Sequence, residues 1–124
     1  MAKILIADDE RDIRDLVAFT LRFAGYEVVA TGNGEEVLQA AQLNPPDLIL
    51  LDVRMPRLSG YDTCRRLKEK PLTAAIPVVF LSAKGQEAEV QEGMQLGAVE
   101  YIVKPFSPED LLTRVKAILG NHRS

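Results

Sequence analysis

Side chains able to do phosphoryl or metal chemistry follow four separate apolar runs of this 124-residue sequence. They are Asp8-Asp9-Glu10 after KILIA, Asp52 after LILL, Ser82 after VVFL, and Lys104 after EYIV. Ala83, which follows Ser82, is too small to block a pocket there. Clustered carboxylates raise one another's pKa or bind a cation, and carboxylates with carbonyls and water are the ligands that Mg²⁺ takes. A pocket in which a metal, a hydroxyl and an ammonium surround one carboxylate is complementary to a phosphoryl group attached to that carboxylate. Asp52 is therefore a candidate nucleophile.

Each of these features also has a simpler structural explanation. Acidic residues favour helix N-termini, so Asp8-Asp9-Glu10 could begin a helix. Asp52 could form a turn before Met55-Pro56, while Ser82 and Lys104 could be a cap and a solvated charge. Their joint position after four apolar runs is what indicates a site.

The apolar runs alternate with segments of helical periodicity. Strands are predicted at 3–7, 27–31, 47–51, 76–81 and 99–103. Helices are predicted at 13–24, about 33–42, 59 to about 70, about 86–96, and 107–119. Ser59 and Ser107 are the expected N-caps of the third and fifth helices, and Pro108 suits the first helical position.

Short connections between these units require right-handed crossovers and a parallel sheet with helices on both faces. We expect an α/β, doubly wound (βα)5 sandwich of flavodoxin-like type, with strand order 2-1-3-4-5. Ligands of such sheets lie beyond the carboxyl ends of strands one and three. Adjacent strands are about 4.8 Å apart, so Asp8 and Asp9 should meet Asp52 there.

Composition predicts one globular domain over residues 1–124, with a polar tail at 120–124. Apolar residues make up 47% and charged residues 27%, and the net charge is −3. The absence of a basic patch argues against direct nucleic-acid binding and against a membrane surface. Cys64 is the single cysteine, and no long apolar stretch occurs, so we expect a cytoplasmic protein.

Four motifs resemble the receiver domain of response regulators in bacterial two-component signal transduction, over essentially the whole chain. They are Asp8-Asp9, LILLDVRMPRLSG at 48–60, LSA at 81–83 and KPF at 104–106. The resemblance implies that Asp52 is the phosphoacceptor. It also implies that Asp9 and Asp52 bind Mg²⁺ directly, with Mn²⁺ as the alternative ion and Asp8 acting through metal-bound water. The backbone carbonyl of Arg54 would be a further ligand.

The same resemblance assigns the phosphoryl-binding and switch positions. Ser82, Ala83 and Lys104 would surround the phosphoryl group, and the Lys104–Pro105 bond would be cis. Tyr101 would be the switch aromatic, turning into space that Ser82 vacates; a fixed, half-buried ring is the alternative. We expect Arg54 and Lys84 to set the phosphoryl lifetime.

The implied protein takes a phosphoryl group from a histidine kinase or phosphotransfer protein and signals to a protein target or output domain. It would catalyse only its own phosphorylation and dephosphorylation. A monomer is expected, with dimerisation through helix four, strand five and helix five on phosphorylation as the alternative. Helix four contains Gly93, which indicates either a weakly held helix or a tight contact. Tyr61, Cys64 and Phe106 are expected in or near the core.

Three other classes fit less of the sequence. A phosphatase of the haloacid-dehalogenase class needs a second Asp where Arg54 stands. A flavodoxin-like electron carrier needs a glycine- and hydroxyl-rich loop after strand one, where Asp8-Asp9-Glu10 would repel phosphate. A receiver-like binding module without phosphoryl transfer would lack part of the acidic set or the lysine, and both are present.

Overall fold

Five parallel strands form one sheet that lies between two layers of helices. The computed structural model describes residues 2–83 and 87–122. The strands are β1 (Lys3–Ala7), β2 (Glu27–Thr31), β3 (Leu48–Asp52), β4 (Val78–Ser82) and β5 (Glu100–Val103). The helices are α1 (Arg11–Phe23), α2 (Gly34–Leu43), α3 (Gly60–Glu69), α4 (Glu87–Gln95) and α5 (Pro108–His122). The strand order is β2-β1-β3-β4-β5, which confirms the predicted fold class.

The sheet divides the core into two clusters because successive strand residues point to opposite faces. Ile4 and Ile6 face α1 and α5, whereas Leu5 and Ala7 face α2 and α3. All five residues of β3 are buried, as expected for a central parallel strand. This explains why the continuous apolar run LILL leads directly to an acidic residue at the sheet edge.

Side-chain caps begin three of the helices. The Asn33 side chain accepts a hydrogen bond from the Glu36 amide at 2.9 Å. Ser59 Oγ accepts from the Asp62 amide at 3.1 Å, and Ser107 Oγ accepts from the Asp110 amide at 3.0 Å. These bonds satisfy amides that lack a partner in the first turn, and they confirm both predicted serine caps.

Several boundaries differ from the predicted ones. Strands β3, β4 and β5 begin one or two residues later than predicted, and β3 and β4 include Asp52 and Ser82. Pro77 has no amide hydrogen, so it cannot donate to a ladder before Val78. Beyond the ladder, the Val53 amide still donates to the Leu81 carbonyl at 3.0 Å.

Helix α5 continues beyond its predicted end, so residues 120–122 are helical where we predicted a polar tail. Ile118 and Leu119 are buried and hold this end of the helix, and one glycine costs a helix only about 1 kcal/mol. The predicted first residue of helix four, Gln86, lies outside the described residues. Among the described residues, no helix combines the length and hydropathy needed to cross a bilayer.

The connection from α3 to β4 is bound to the end of α3. Lys68 Nζ donates to the carbonyls of Ala74 at 3.0 Å and Ile76 at 2.8 Å. The buried Thr73 hydroxyl donates to the Leu67 carbonyl at 2.6 Å. Burial of the Lys68 ammonium lowers its pKa. These bonds give partners to the carbonyls of Ala74 and Ile76 and to the buried Thr73 hydroxyl.

Candidate functional site

Two acidic side chains are buried together at the carboxyl edge of the sheet. Asp8 directly follows β1 and is 0% exposed, and Asp52 ends β3 and is 4% exposed. The two strands are paired neighbours, with Ala7 opposite Leu51. Carboxylate oxygens of Asp8, Glu10 and Asp52 lie within 4.8 Å of one another. The predicted meeting of strands one and three at this edge is therefore present.

Lys104 supplies the ammonium that faces these carboxylates. Its Nζ lies 2.9 Å from Asp8 Oδ2, 3.3 Å from Glu10 Oε1 and 3.6 Å from Asp52 Oδ2. The Lys104 amide donates to the Ser82 carbonyl at 2.7 Å, which places the side chain at the sheet edge. One ammonium thus faces three carboxylates, and the cluster keeps an excess of negative charge when all are ionised.

The electrostatics of the cluster raise the pKa of Asp52 from 3.8 to about 7. Burial is the largest cause, followed by the charge of Asp8, and the Lys104 ammonium opposes both. For Lys104, burial lowers the pKa, but hydrogen bonding to Asp8 and the charges of Asp52 and Asp8 raise it overall. Lys104 therefore stays cationic, whereas Asp52 ionises at a higher pH than an exposed carboxyl group does.

The oxygen ligands and the charge of this cluster fit a divalent cation. Mg²⁺ binds carboxylates and usually keeps several waters, and a second positive charge would offset the repulsion that Asp52 experiences. The three-carboxylate group differs from the predicted ligand set, because it includes Glu10 and leaves out Asp9. Asp9 is exposed, and its carboxyl group contacts Asp52 closely enough to raise the pKa of Asp52.

Glu10 belongs to the acidic run recognised in the sequence, yet it was not predicted as a ligand. Its amide donates to Asp8 Oδ1 at 2.9 Å, and its side chain turns toward Lys104. The spacing of two residues from Asp8 is the one signal that could have identified it. Neither helical nor strand periodicity applies at this junction.

The loop after Asp52 folds back against that residue. The Arg54 amide donates to Asp52 Oδ1 at 3.4 Å, and the Gly60 amide donates to the Val53 carbonyl at 2.9 Å. A Cβ at Gly60 would overlap the Asp52 carbonyl oxygen, so only glycine permits this approach. The glycine of the quoted motif thus brings the first turn of α3 against Asp52. The exposed Arg54 side chain borders the site.

Of the remaining predicted site residues, Ser82, Ala83 and Pro105 lie at the carboxyl edge of the sheet, whereas Tyr101 lies in the core. Ser82 is 3% exposed at the end of β4, and Ala83 beside it is exposed. The Lys104–Pro105 bond is cis, as the resemblance implies. Tyr101 is 8% exposed and packs against Phe80 with 6.2 Å between ring centroids. Lys84 lies outside the described residues.

Of the three residues expected in or near the core, Cys64 is fully buried. Burial raises the pKa of its thiol. Phe106 and Tyr61 are partly buried and pack against opposite clusters of the core. Tyr61 also makes hydrogen bonds that its expected core position does not explain.

Known proteins match this chain in sequence along nearly its whole length. The family model of the response regulator receiver domain matches residues 4–116. The chain is 44% identical over 117 residues to the alkaline phosphatase synthesis transcriptional regulatory protein PhoP of Bacillus subtilis, covering 94% of this chain and 48% of that protein. It is 46% identical over 116 residues to the phosphate regulon transcriptional regulatory protein PhoB of Pseudomonas aeruginosa, covering 94% and 51%. The chain spans about half the length of the curated relatives it matches.

Solved structures match the fold as closely. A putative response regulator from Chloroflexus aurantiacus has a TM-score of 0.91 at 39% identity, covering 96% of this chain and 98% of that one. The chemotaxis protein CheY4 of Vibrio cholerae has a TM-score of 0.91 at 36% identity, covering 95% and 98%. The resemblance seen in the motifs is confirmed, and the chain belongs to the receiver domain family of response regulators.

Proposed function

We propose that this receiver domain accepts a phosphoryl group on Asp52 from a histidine kinase or phosphotransfer protein, in a Mg²⁺-dependent reaction. The observation that carries the proposal is a 4% exposed carboxylate at a sheet edge with an ammonium 3.6 Å away and further carboxylates beside it. A carboxylate is an established nucleophile toward phosphorus, and here it is both buried and positioned.

In the proposed transfer, an Asp52 carboxylate oxygen forms a bond to phosphorus as the bond from phosphorus to the donor's histidine nitrogen breaks. Asp8 and Asp52, with Asp9, Glu10 or the Arg54 carbonyl, would hold Mg²⁺ or Mn²⁺. The ion would supply charge neutralisation. Lys104 neutralises a phosphoryl oxygen, and the raised pKa of Lys104 keeps the ammonium charged. Ser82 donates to another oxygen, and the small Ala83 leaves room beside it.

Loss of the phosphoryl group requires water to attack phosphorus at the open side of the site. Arg54 is exposed there, two residues after the acceptor. We propose that Arg54, together with Lys84, controls this access and so sets the lifetime of the phosphoryl group. The chain would then act only on its own acceptor and on no other substrate.

The proposed signal passes from Ser82 to Tyr101. A phosphoryl group adds roughly one and a half to two negative charges at neutral pH, and Ser82 would move toward it. The ring of Tyr101 already lies in the core, which supports the inward position as one of two states. The shape of the face formed by α4, β5 and α5 would differ between the states.

The proposed recipients of the signal are a protein target or an output domain. PhoP and PhoB are named as transcriptional regulatory proteins, and this chain matches about half of each. We propose a cytoplasmic monomer that makes no direct nucleic-acid or membrane contact. Light scattering with and without beryllofluoride tests the alternative, dimerisation through α4, β5 and α5.

Incubation with acetyl phosphate and Mg²⁺, followed by intact mass measurement, tests the acceptor. The parent and the matched control Asp15→Asn, an exposed change on α1, should each gain one phosphoryl group. Asp52→Asn should gain none, and omission of Mg²⁺ should abolish the gain in the parent. A phosphorylated Asp52→Asn protein, or a parent that stays unmodified, would contradict the proposal.

A further inference from the structure

Tyr61, Phe80 and Tyr101 form a contiguous aromatic group between α3, β4 and β5. The ring of Tyr61 meets that of Phe80 edge to face, with centroids 5.0 Å apart at 89°. Phe80 in turn packs against Tyr101. Such edge-to-face pairs add to the stability gained by burial, so the position of each ring depends on its neighbours.

Hydroxyl groups connect the same residues in a defined order. Tyr61 Oη donates to the Glu89 carbonyl at 3.0 Å and lies 3.4 Å from Tyr101 Oη. A phenol has one proton to donate, so Tyr101 is the donor to Tyr61 while Tyr61 donates to Glu89. The resulting series of bonds joins β5 to α3 and α3 to α4.

Helix α4 approaches this aromatic group closely at Gly93. A Cβ on Gly93 would lie 2.9 Å from a ring carbon of Phe80 and 3.2 Å from one of Tyr101. The structure therefore favours the tight contact at Gly93 over a merely weakly held helix. Any outward turn of Tyr101 would remove atoms on which α4 rests.

The opposite end of the aromatic group reaches the acceptor. Tyr61 follows Gly60, whose backbone lies against the Asp52 carbonyl and hydrogen-bonds Val53. A displacement of the acceptor loop thus reaches the first turn of α3 and the Tyr61 ring. Tyr61 itself lies just outside the quoted motif, which ends at Gly60.

We propose that Tyr61 is a positioning residue whose hydroxyl holds Tyr101 in its buried position and binds α4 to α3, thereby coupling Asp52 to α4. The proposal rests on the function proposed above, because it deepens the account of how occupancy of Asp52 is transmitted. A ligand that favours the inward state of Tyr101 binds more weakly when that state is destabilised.

The variant Tyr61→Phe removes the hydroxyl and keeps the ring. Its matched control is Tyr26→Phe, which changes a partly buried tyrosine packed against the other core cluster. We expect Tyr61→Phe to weaken beryllofluoride binding about fivefold, the factor that corresponds to the loss of about one hydrogen bond. Amide exchange across residues 89–95 should accelerate, and the Tyr101 ring resonances should shift, whereas Tyr26→Phe should change none of these.

The proposal is overturned if Tyr61→Phe and Tyr26→Phe bind beryllofluoride equally, or if α4 exchanges at the parent rate in Tyr61→Phe. If the parent itself does not bind beryllofluoride, the proposed function fails on that ground alone. The coupling of Tyr61 to α4 is then decided by exchange: faster exchange at 89–95 supports it, and unchanged exchange refutes it.

Discussion

Replacing Asp52 by Asn should stabilise the metal-free protein at pH 8. Asn has nearly the same shape as Asp but carries no charge. It therefore avoids the cost of burying a charge and the repulsion from Asp8 that act on the carboxylate. The pKa of Asp52 is raised from 3.8 to about 7, a shift of about three units. At about 1.4 kcal/mol per unit, the expected gain in free energy of unfolding is on the order of 4 kcal/mol.

The pH dependence gives the sign of this effect. Asp52 has a higher pKa in the folded protein than in the unfolded chain, so its contribution to stability is complete below pH 3.8. That contribution is lost as the pH rises toward about 7 and stays lost above it. Asn does not titrate, so the advantage of Asp52→Asn should be absent near pH 4 and should grow up to about pH 7.

Urea unfolding with a chelator present, at pH values from 4 to 8, measures this difference. Asp15→Asn is the matched control, because Asp15 is exposed and its pair with Arg11 is a surface contact of 4.0 Å. Added Mg²⁺ should stabilise the parent more than Asp52→Asn. The reasoning is refuted if the advantage does not change with pH, or if Asp52→Asn is the less stable protein at pH 8.

Three further predictions follow from the contacts of single residues. Gly93→Ala should destabilise the protein by about 1–3 kcal/mol in urea unfolding, because the new Cβ meets Phe80. Gly120→Ala, in open space, should stabilise it by up to about 1 kcal/mol. Equal effects of the two changes would contradict the tight contact at Gly93. Lys104→Met should cost about 3 kcal/mol at pH 8 and less at pH 5, where Asp52 is protonated. A loss independent of pH would argue against the pair of Lys104 with Asp52. Arg54→Ala should change the rate of phosphoryl loss after acetyl phosphate is removed, with little change in stability because the side chain is exposed; hydrolysis at the parent rate would refute the lifetime role.

The fold and the centre of the site were predictable because their signals are local. Each strand is a short apolar run, most helices have a clear periodicity, and parallel connections permit few strand orders. Carboxyl ends of neighbouring strands share one edge, so the sequence pattern places Asp8, Asp52 and Lys104 together. Their distances in the structure agree with that placement.

The parts that were missed depend on long-range packing or on irregular backbone. Glu10 joins the carboxylate group through a turn whose geometry the sequence pattern does not specify. The hydroxyl contacts of Tyr61 join segments 28 and 40 residues away, and the contact at Gly93 depends on which rings lie beneath α4. Helix α5 passes through Gly120 because buried neighbours outweigh a low local propensity.

The hydrogen bonds of Lys68 and Thr73 fix the last turn of α3 to the connection that leads into β4. The first turn of α3 lies against the Asp52 carbonyl, so the helix is held at both of its ends. A displacement at Asp52 would therefore move α3 sideways more easily than along its axis. The side of α3 that carries Tyr61 contacts α4, so the bonds at the far end of α3 would direct such a displacement toward α4.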